Sequence, residues 1–134
     1  MRFILVDDEP ACNLISKFTI KRLFKEDEIE VFTDPEKALA YIKNTYVEGS
    51  DRTPTCVFLD INMPIMSGWE FLEEYNSFGT DVHKCISTYI VSSSIDVRDK
   101  EKAADNPLVA GFISKPLRVE QLEEIIGAGV PVTR

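Results

Sequence analysis

Short apolar runs alternate along the chain with segments in which apolar residues recur at helical spacing. Phe3 to Val6 is a continuous apolar run, the mark of a strand covered on both faces. Residues 11–24 follow with Leu14, Ile15, Phe18 and Leu23 among Ser, Lys and Arg, a spacing that predicts a helix. A short strand is expected at 29–33. Thr33-Asp34-Pro35 then supplies a capping residue and a first-turn proline for a helix carrying Ala38, Leu39, Tyr41 and Ile42. "VEGSDRTP", residues 47–54, reads as a loop and leads into the apolar run Cys56 to Leu59. A helix over about 67–76 carries Trp69, Phe71, Leu72 and Tyr75. "ISTYIVSS" predicts a fourth strand, residues 97–104 a polar helix, and "LVAGFIS" a fifth strand. Residues 117–127 predict a last helix with Leu122, Ile125 and Ile126 inside.

Five apolar strands alternating with five helices call for a parallel sheet with helices on both faces. Right-handed crossovers wind such a chain into a doubly wound α/β sandwich. With 134 residues it fits one domain, over 1–127, with 128–134 as a C-terminal tail. In these sheets ligands bind outside the carboxyl ends of the strands, so the residues just past each strand carry the chemistry.

Those residues are strongly polar. The first strand ends at Asp7-Asp8, the third at Asp60, the fourth at Ser92-Ser93-Ser94 and the fifth at Ser114-Lys115-Pro116. With the first and third strands as neighbours, three carboxylates converge and repel one another unless a cation is present. An all-oxygen acidic set without His or Cys suits a hard ion, magnesium rather than zinc. Lys115 at the same mouth makes chemical sense if the ligand is a phosphoryl group or another tetrahedral anion, with a serine hydroxyl donating to one of its oxygens. No Gly-rich phosphate loop is present. Each residue alone has a plainer reading, an aspartate as a cap and a Lys-Pro as a loop; four of them at the correct strand ends point to a site.

Charge narrows the function further. Fifteen basic and 23 acidic residues leave a net charge of −8, which opposes direct nucleic-acid binding. The apolar run near the N-terminus is too short for a signal peptide or membrane insertion, so a cytoplasmic protein is expected. Cys12, Cys56 and Cys85 form no CxxC pair and read as small core residues in a reducing compartment. His83, the single histidine, lies in "GTDVHKC" and reads as a solvated loop residue.

"ILVDDEP", "FLDINMPIMSGWEFL", "YIVSSS" and "AGFISKPL" resemble, in order, the signatures of the bacterial response-regulator receiver domain, of the stand-alone chemotaxis-regulator type. The resemblance runs from about residue 2 to 127. It implies a flavodoxin-like receiver fold with strand order 2-1-3-4-5 and five helices. It also implies that Asp60 accepts a phosphoryl group from a phosphohistidine on a sensor histidine kinase or histidine phosphotransfer protein. By the same resemblance Asp8 binds magnesium directly (or manganese in its place), Asp7 binds it mainly through water, and Asn62 binds it through its backbone carbonyl. Ser92 becomes the switch hydroxyl and Lys115 the phosphate-binding lysine, with a cis Lys115-Pro116 bond. The aromatic that follows the switch is Phe112, where many relatives carry tyrosine; its movement repacks the face of the fourth helix, fifth strand and fifth helix toward a downstream protein target. Ser93 keeps the pocket open to small donors, and Asn62 and Ser94 flank the path of a hydrolytic water.

Two other functions use similar residues. Haloacid-dehalogenase-type phosphatases also have a strand-end aspartate, magnesium and lysine, but place a second aspartate two residues on as general acid, where this chain has Asn62. A pseudo-receiver that binds partners without phosphorylation usually loses an acid or the lysine, and all are present here.

Overall fold

The computed structural model describes residues 1–127, with side chains through Ile125; the side chain of Ile126 and the tail 128–134 lie outside the described residues. Five strands, β1 (Arg2–Val6), β2 (Glu28–Phe32), β3 (Thr55–Leu59), β4 (Ile86–Ser92) and β5 (Val109–Ser114), form one sheet in the order β2-β1-β3-β4-β5. Every pairing is parallel. The order is the one the resemblance implies, and the progression of strand order reverses between β1 and β3.

Six helices, not five, are present among the described residues: α1 (Pro10–Leu23), α2 (Pro35–Ile42), α3 (Gly68–Asn76), α4 (Thr80–Cys85), α5 (Val97–Asp105) and α6 (Val119–Gly127). The additional one is α4, read from sequence as the loop holding His83. It is one and a half turns long, too short for apolar periodicity to reveal. Gly79 starts it at φ +99°, a left-handed conformation that costs glycine nothing. Residues 43–47 continue α2 as a π-helical turn, whose wider ring is closed by Glu48 N–H donating to Lys43 O at 2.9 Å.

Alternation along the central strands divides the core into two layers. Ile4, Val6, Val57, Leu59 and Ile90 face α2, α3 and α5, where Leu39, Ile42, Phe71, Leu72 and Ala103 meet them. Phe3, Leu5, Cys56, Phe58 and Val91 face α1 and α6, against Ile20, Phe24, Leu122 and Ile125. β1 and β3 are buried along their whole length, which explains their unbroken apolar runs.

Two sequence readings are corrected, those of the cysteines and of His83, and α1 presents a face that its spacing alone left open. The stripe Leu14, Ile15, Phe18 and Leu23 on α1 does not enter the core; these side chains are 52%, 50%, 64% and 37% exposed. Asn13 and Ile20, seven residues apart, mark the buried face instead. The Asn13 amide donates to Asp7 O at 2.9 Å and Phe32 O at 3.3 Å, and these two bonds set the helix's rotation. Of the cysteines, all free, Cys56 is fully buried and Cys85 packs partly buried against the core, whereas Cys12 is partly exposed outside both core layers. His83 is not a solvated side chain, because its ring packs 4.5 Å from that of Tyr75 and its Nε2 is 2.9 Å from Tyr75 O.

Candidate functional site

Register brings the acids together. Val6 and Leu59 are paired across β1 and β3, so the next residue of each strand, Asp7 and Asp60, emerges side by side. Backbone bonds pin both: Asp60 N–H donates to Val6 O at 2.9 Å, and Asp7 N–H to Phe32 O at 3.1 Å. Asp7, Asp8 and Asp60 each offer a carboxylate oxygen, and the three lie within 4.8 Å of one another. Asp7 and Asp60 are buried and Asp8 is half-buried.

Lys115 closes the cluster from the end of β5. Its Nζ is 2.7 Å from Asp7 Oδ2 and 3.7 Å from Asp60 Oδ2, and it is the one cation paired with the cluster among the described residues. The Lys115-Pro116 bond is cis, and Lys115 N–H donates to Ser92 O at 2.9 Å. Burial works against the Lys115 ammonium, but its bond to Asp7 and the charges of Asp60 and Asp7 outweigh that and raise its pKa. Asp60 moves up too. Burial chiefly, then the Asp7 and Asp8 carboxylates, push its carboxyl to about 6 from an ordinary 3.8, while Lys115 and the Asn62 N–H pull the other way.

One lysine does not balance three carboxylates, and that imbalance is the test for a cation here. The donor set is oxygen throughout, partly buried and open on the Asp8 side, which fits a hard divalent ion that keeps part of its water shell.

A measurable consequence concerns Asp60. Its raised pKa means that the protonated carboxyl supports folding fully below about pH 4, and that this support is lost as pH rises through about 6. Asp60→Asn, which never ionises, is therefore expected to be more stable than the wild type by about 2–3 kcal/mol at pH 7 in metal-free buffer. The difference should shrink toward zero near pH 4. Urea titrations with chelator at several pH values test this; a difference that stays constant with pH contradicts it.

The remaining predicted residues lie around this centre. Asn62 is exposed, and its N–H donates to Asp60 Oδ1 at 3.2 Å. Ser92 is fully buried, and its Oγ accepts from Ser94 N–H at 3.0 Å, a local bond rather than one to Asp60. Phe112 pairs with Ile90 on the neighbouring strand, packs on the α5 side of the sheet, and lies 5.9 Å below the Lys100 ammonium.

Three supporting residues escaped the sequence reading. Asn13 holds the backbone of Asp7, and its only signal was a polar residue in phase with Ile20. Cys12 sits with Sγ 3.8 Å from Lys115 Nζ, a contact across 103 residues that no local pattern encodes. Gly68 opens α3, where Ser67 and Glu70 form a reciprocal cap. A Cβ at Gly68 would lie 2.7 Å from Asp60 O and 2.8 Å from Ile61 Cα, so only glycine lets α3 start against the strand end that carries Asp60. Gly68→Ala is expected to lower stability by about 1–3 kcal/mol, measured as a shift of the urea midpoint. An unchanged midpoint would show that the strand end yields freely.

Comparison with known proteins agrees with this geometry. Residues 3–127 match the family model described as response regulator receiver domain. A response regulator receiver protein from Dyadobacter fermentans is similar at 26% identity, covering 98% of this chain and 99% of that one, with a TM-score of 0.87. A two-component response regulator from Cytophaga hutchinsonii is similar at 26% identity, covering 95% and 94%, with a TM-score of 0.85. A chemotaxis protein from Vibrio cholerae, 20% identical over 95% and 96% with a TM-score of 0.73, shares the fold. With its acidic pocket at the strand ends and a family match over nearly its whole length, this chain belongs to the response regulator receiver family, whose members accept a phosphoryl group in two-component signalling.

Proposed function

We propose that Asp60 is the phosphoacceptor of this receiver, taking the group from a phosphohistidine on a sensor histidine kinase or histidine phosphotransfer protein. The observation that carries this reading is the Asp60 carboxylate at the end of a fully buried strand, facing Lys115 at 3.7 Å and two further acids. An Asp60 oxygen attacks phosphorus, the P–N bond breaks, and its electron pair leaves on the imidazole nitrogen, which takes up a proton. No general base is needed, because the nucleophile is a carboxylate that only has to be ionised.

Asp7, Asp8, Asp60 and the Asn62 backbone carbonyl would hold magnesium, or manganese in its place. When bound, the ion would neutralise charge on the phosphoryl oxygens and offset the repulsion among the three acids. Lys115 binds a second phosphoryl oxygen, and Ser92 donates to the third. Asn62 is also too poor a proton donor for phosphatase turnover, which favours a switch over an enzyme acting on external esters.

Two surfaces support the partners. The exposed stripe Leu14, Ile15 and Phe18 begins at the rim of the site, since Ile15 and Cys12 line one crevice with Lys115 and Pro116, and such a stripe suits the helices of a donor protein. On the other side, Phe112 with α5, β5 and α6 forms the face that would change its affinity for a downstream protein once Ser92 engages the phosphoryl group.

Phosphoramidate with magnesium, followed by intact-mass measurement, tests the reading. One phosphate adduct is expected on the wild type and none on Asp60→Asn. No adduct on the wild type, or one that persists in Asp60→Asn, overturns it.

A further inference from the structure

We propose that Asp99, on the first turn of α5, is a positioning residue for phosphoryl transfer. Through the Ser94 hydroxyl it holds the loop after β4 in the shape that leaves the Ser92 proton free for an acceptor. The proposal rests on the reading of Asp60 as phosphoacceptor and adds a residue to it.

The loop from Ser92 to Val97 is held by a chain of side-chain bonds. Ser94 N–H donates to Ser92 Oγ at 3.0 Å. The Ser94 hydroxyl donates to Asp99 Oδ2 at 2.6 Å and accepts from Asp96 N–H at 3.2 Å. Asp96 in turn caps α5, accepting from Arg98 N–H at 2.9 Å. Hydroxyl bookkeeping gives this order a meaning, since each serine has one proton. Ser92 Oγ acts as acceptor toward Ser94, so its own proton remains for an oxygen at the strand end. Ser92 is also fully buried, which leaves that proton without bulk water to satisfy it. The Ser94 proton is committed to Asp99 in a short, charge-assisted bond. Without Asp99, Ser94 can turn, and the N–H that orients Ser92 moves with it.

A plainer role for Asp99 is an acid near a helix N-terminus, favoured by the helix dipole. That role needs no Ser94, and this difference makes the two separable. Lys100, the next residue, sits over Phe112, so the same helical turn touches both the loop of the switch hydroxyl and the aromatic of β5.

The test measures the rate of Asp60 phosphorylation by phosphoramidate with magnesium in wild type, Ser94→Ala, Asp99→Ala, Asp99→Asn and the Ser94→Ala/Asp99→Ala pair. Asp99→Ala and Ser94→Ala are each expected to slow the reaction about fivefold to tenfold, the scale of one lost charge-assisted hydrogen bond. The pair should be no slower than either single change, because both remove the same contact. Asp99→Asn, whose amide oxygen still accepts from Ser94, should stay within about threefold of wild type. Asp99→Ala at the wild-type rate, multiplying effects in the pair, or Asp99→Asn as slow as Asp99→Ala overturns the proposal. If Asp99→Ala does not fold, Ser94→Ala at the wild-type rate overturns it alone. An absence of adduct on the wild type instead removes Asp60 as acceptor, and the proposal with it.

Discussion

Lys115→Ala is expected to slow the phosphorylation of Asp60 by phosphoramidate about a hundredfold or more, the usual scale for removing one preorganised donor from a developing anion. No other cation among the described residues pairs with Asp7 or Asp60, so none of the described side chains stands in for it. A phosphoryl group carries charge on three oxygens, and losing the ammonium leaves one of them facing carboxylates. The pH profile should move as well. Lys115 holds the Asp60 pKa down against burial and the neighbouring acids. Its loss raises that pKa further, so the pH at which the rate reaches half its plateau should rise. A rate within about threefold of wild type, with an unmoved profile, would show that Lys115 serves folding rather than transfer.

How much of this was legible in the sequence depended on distance along the chain. β1 and β3 are covered on both faces, so their apolar runs stood out, and the acids that end them could be placed without knowing any contact. The parallel register then carried Asp7 and Asp60 to the same place, because equal steps past paired residues end side by side. What spacing alone left open was orientation. The apolar stripe of α1 has the spacing of a core face, yet two hydrogen bonds from Asn13 to the ends of β1 and β2 turn it outward. An apolar stripe reports that a helix has a face to cover, and the cover can be another protein. Cys12 beside Lys115 and the Ser94–Asp99 bond depend on side-chain geometry, which periodicity does not encode. α4 was too short for any pattern.

The largest loss of stability should come from the end of the sheet opposite the site. Arg2 opens β1, is 8% exposed, and donates through all three guanidinium nitrogens: Nε and Nη2 to Glu28 at 2.9 and 3.3 Å, Nη1 to Tyr46 Oη at 2.9 Å, and Nη2 to Asp51 at 3.1 Å. Tyr46 Oη also bonds Thr55 Oγ1 on β3, so the cluster joins β1, β2, β3 and the π-helical turn. Burial disfavours the guanidinium charge, but the bonds to Glu28, Tyr46 and Asp51 outweigh it and raise its pKa. Arg2→Met keeps the apolar stem and deletes the fork, leaving the buried Tyr46 hydroxyl with Thr55 and two acids without their cation. Glu28 and Asp51 are partly solvated, which discounts the loss, and about 2–4 kcal/mol is expected from the urea midpoint. Asp51 adds an acid-side signature. The Thr53 hydroxyl and N–H, and then Arg2, hold its pKa at about 2, so its contribution is present above the ordinary carboxylate range and is lost as pH falls through about 2. Because Thr53 is the larger cause, Arg2→Met should keep most of that acid dependence and Asp51→Asn should remove it. Neither change touches the strand ends that carry Asp7, Asp60 and Lys115, so phosphorylation by phosphoramidate should proceed at the wild-type rate wherever the variant is folded. A stability loss under about 1 kcal/mol would place Arg2 among exposed surface pairs; a slowed reaction in the folded variant would mean that strain crosses the whole sheet.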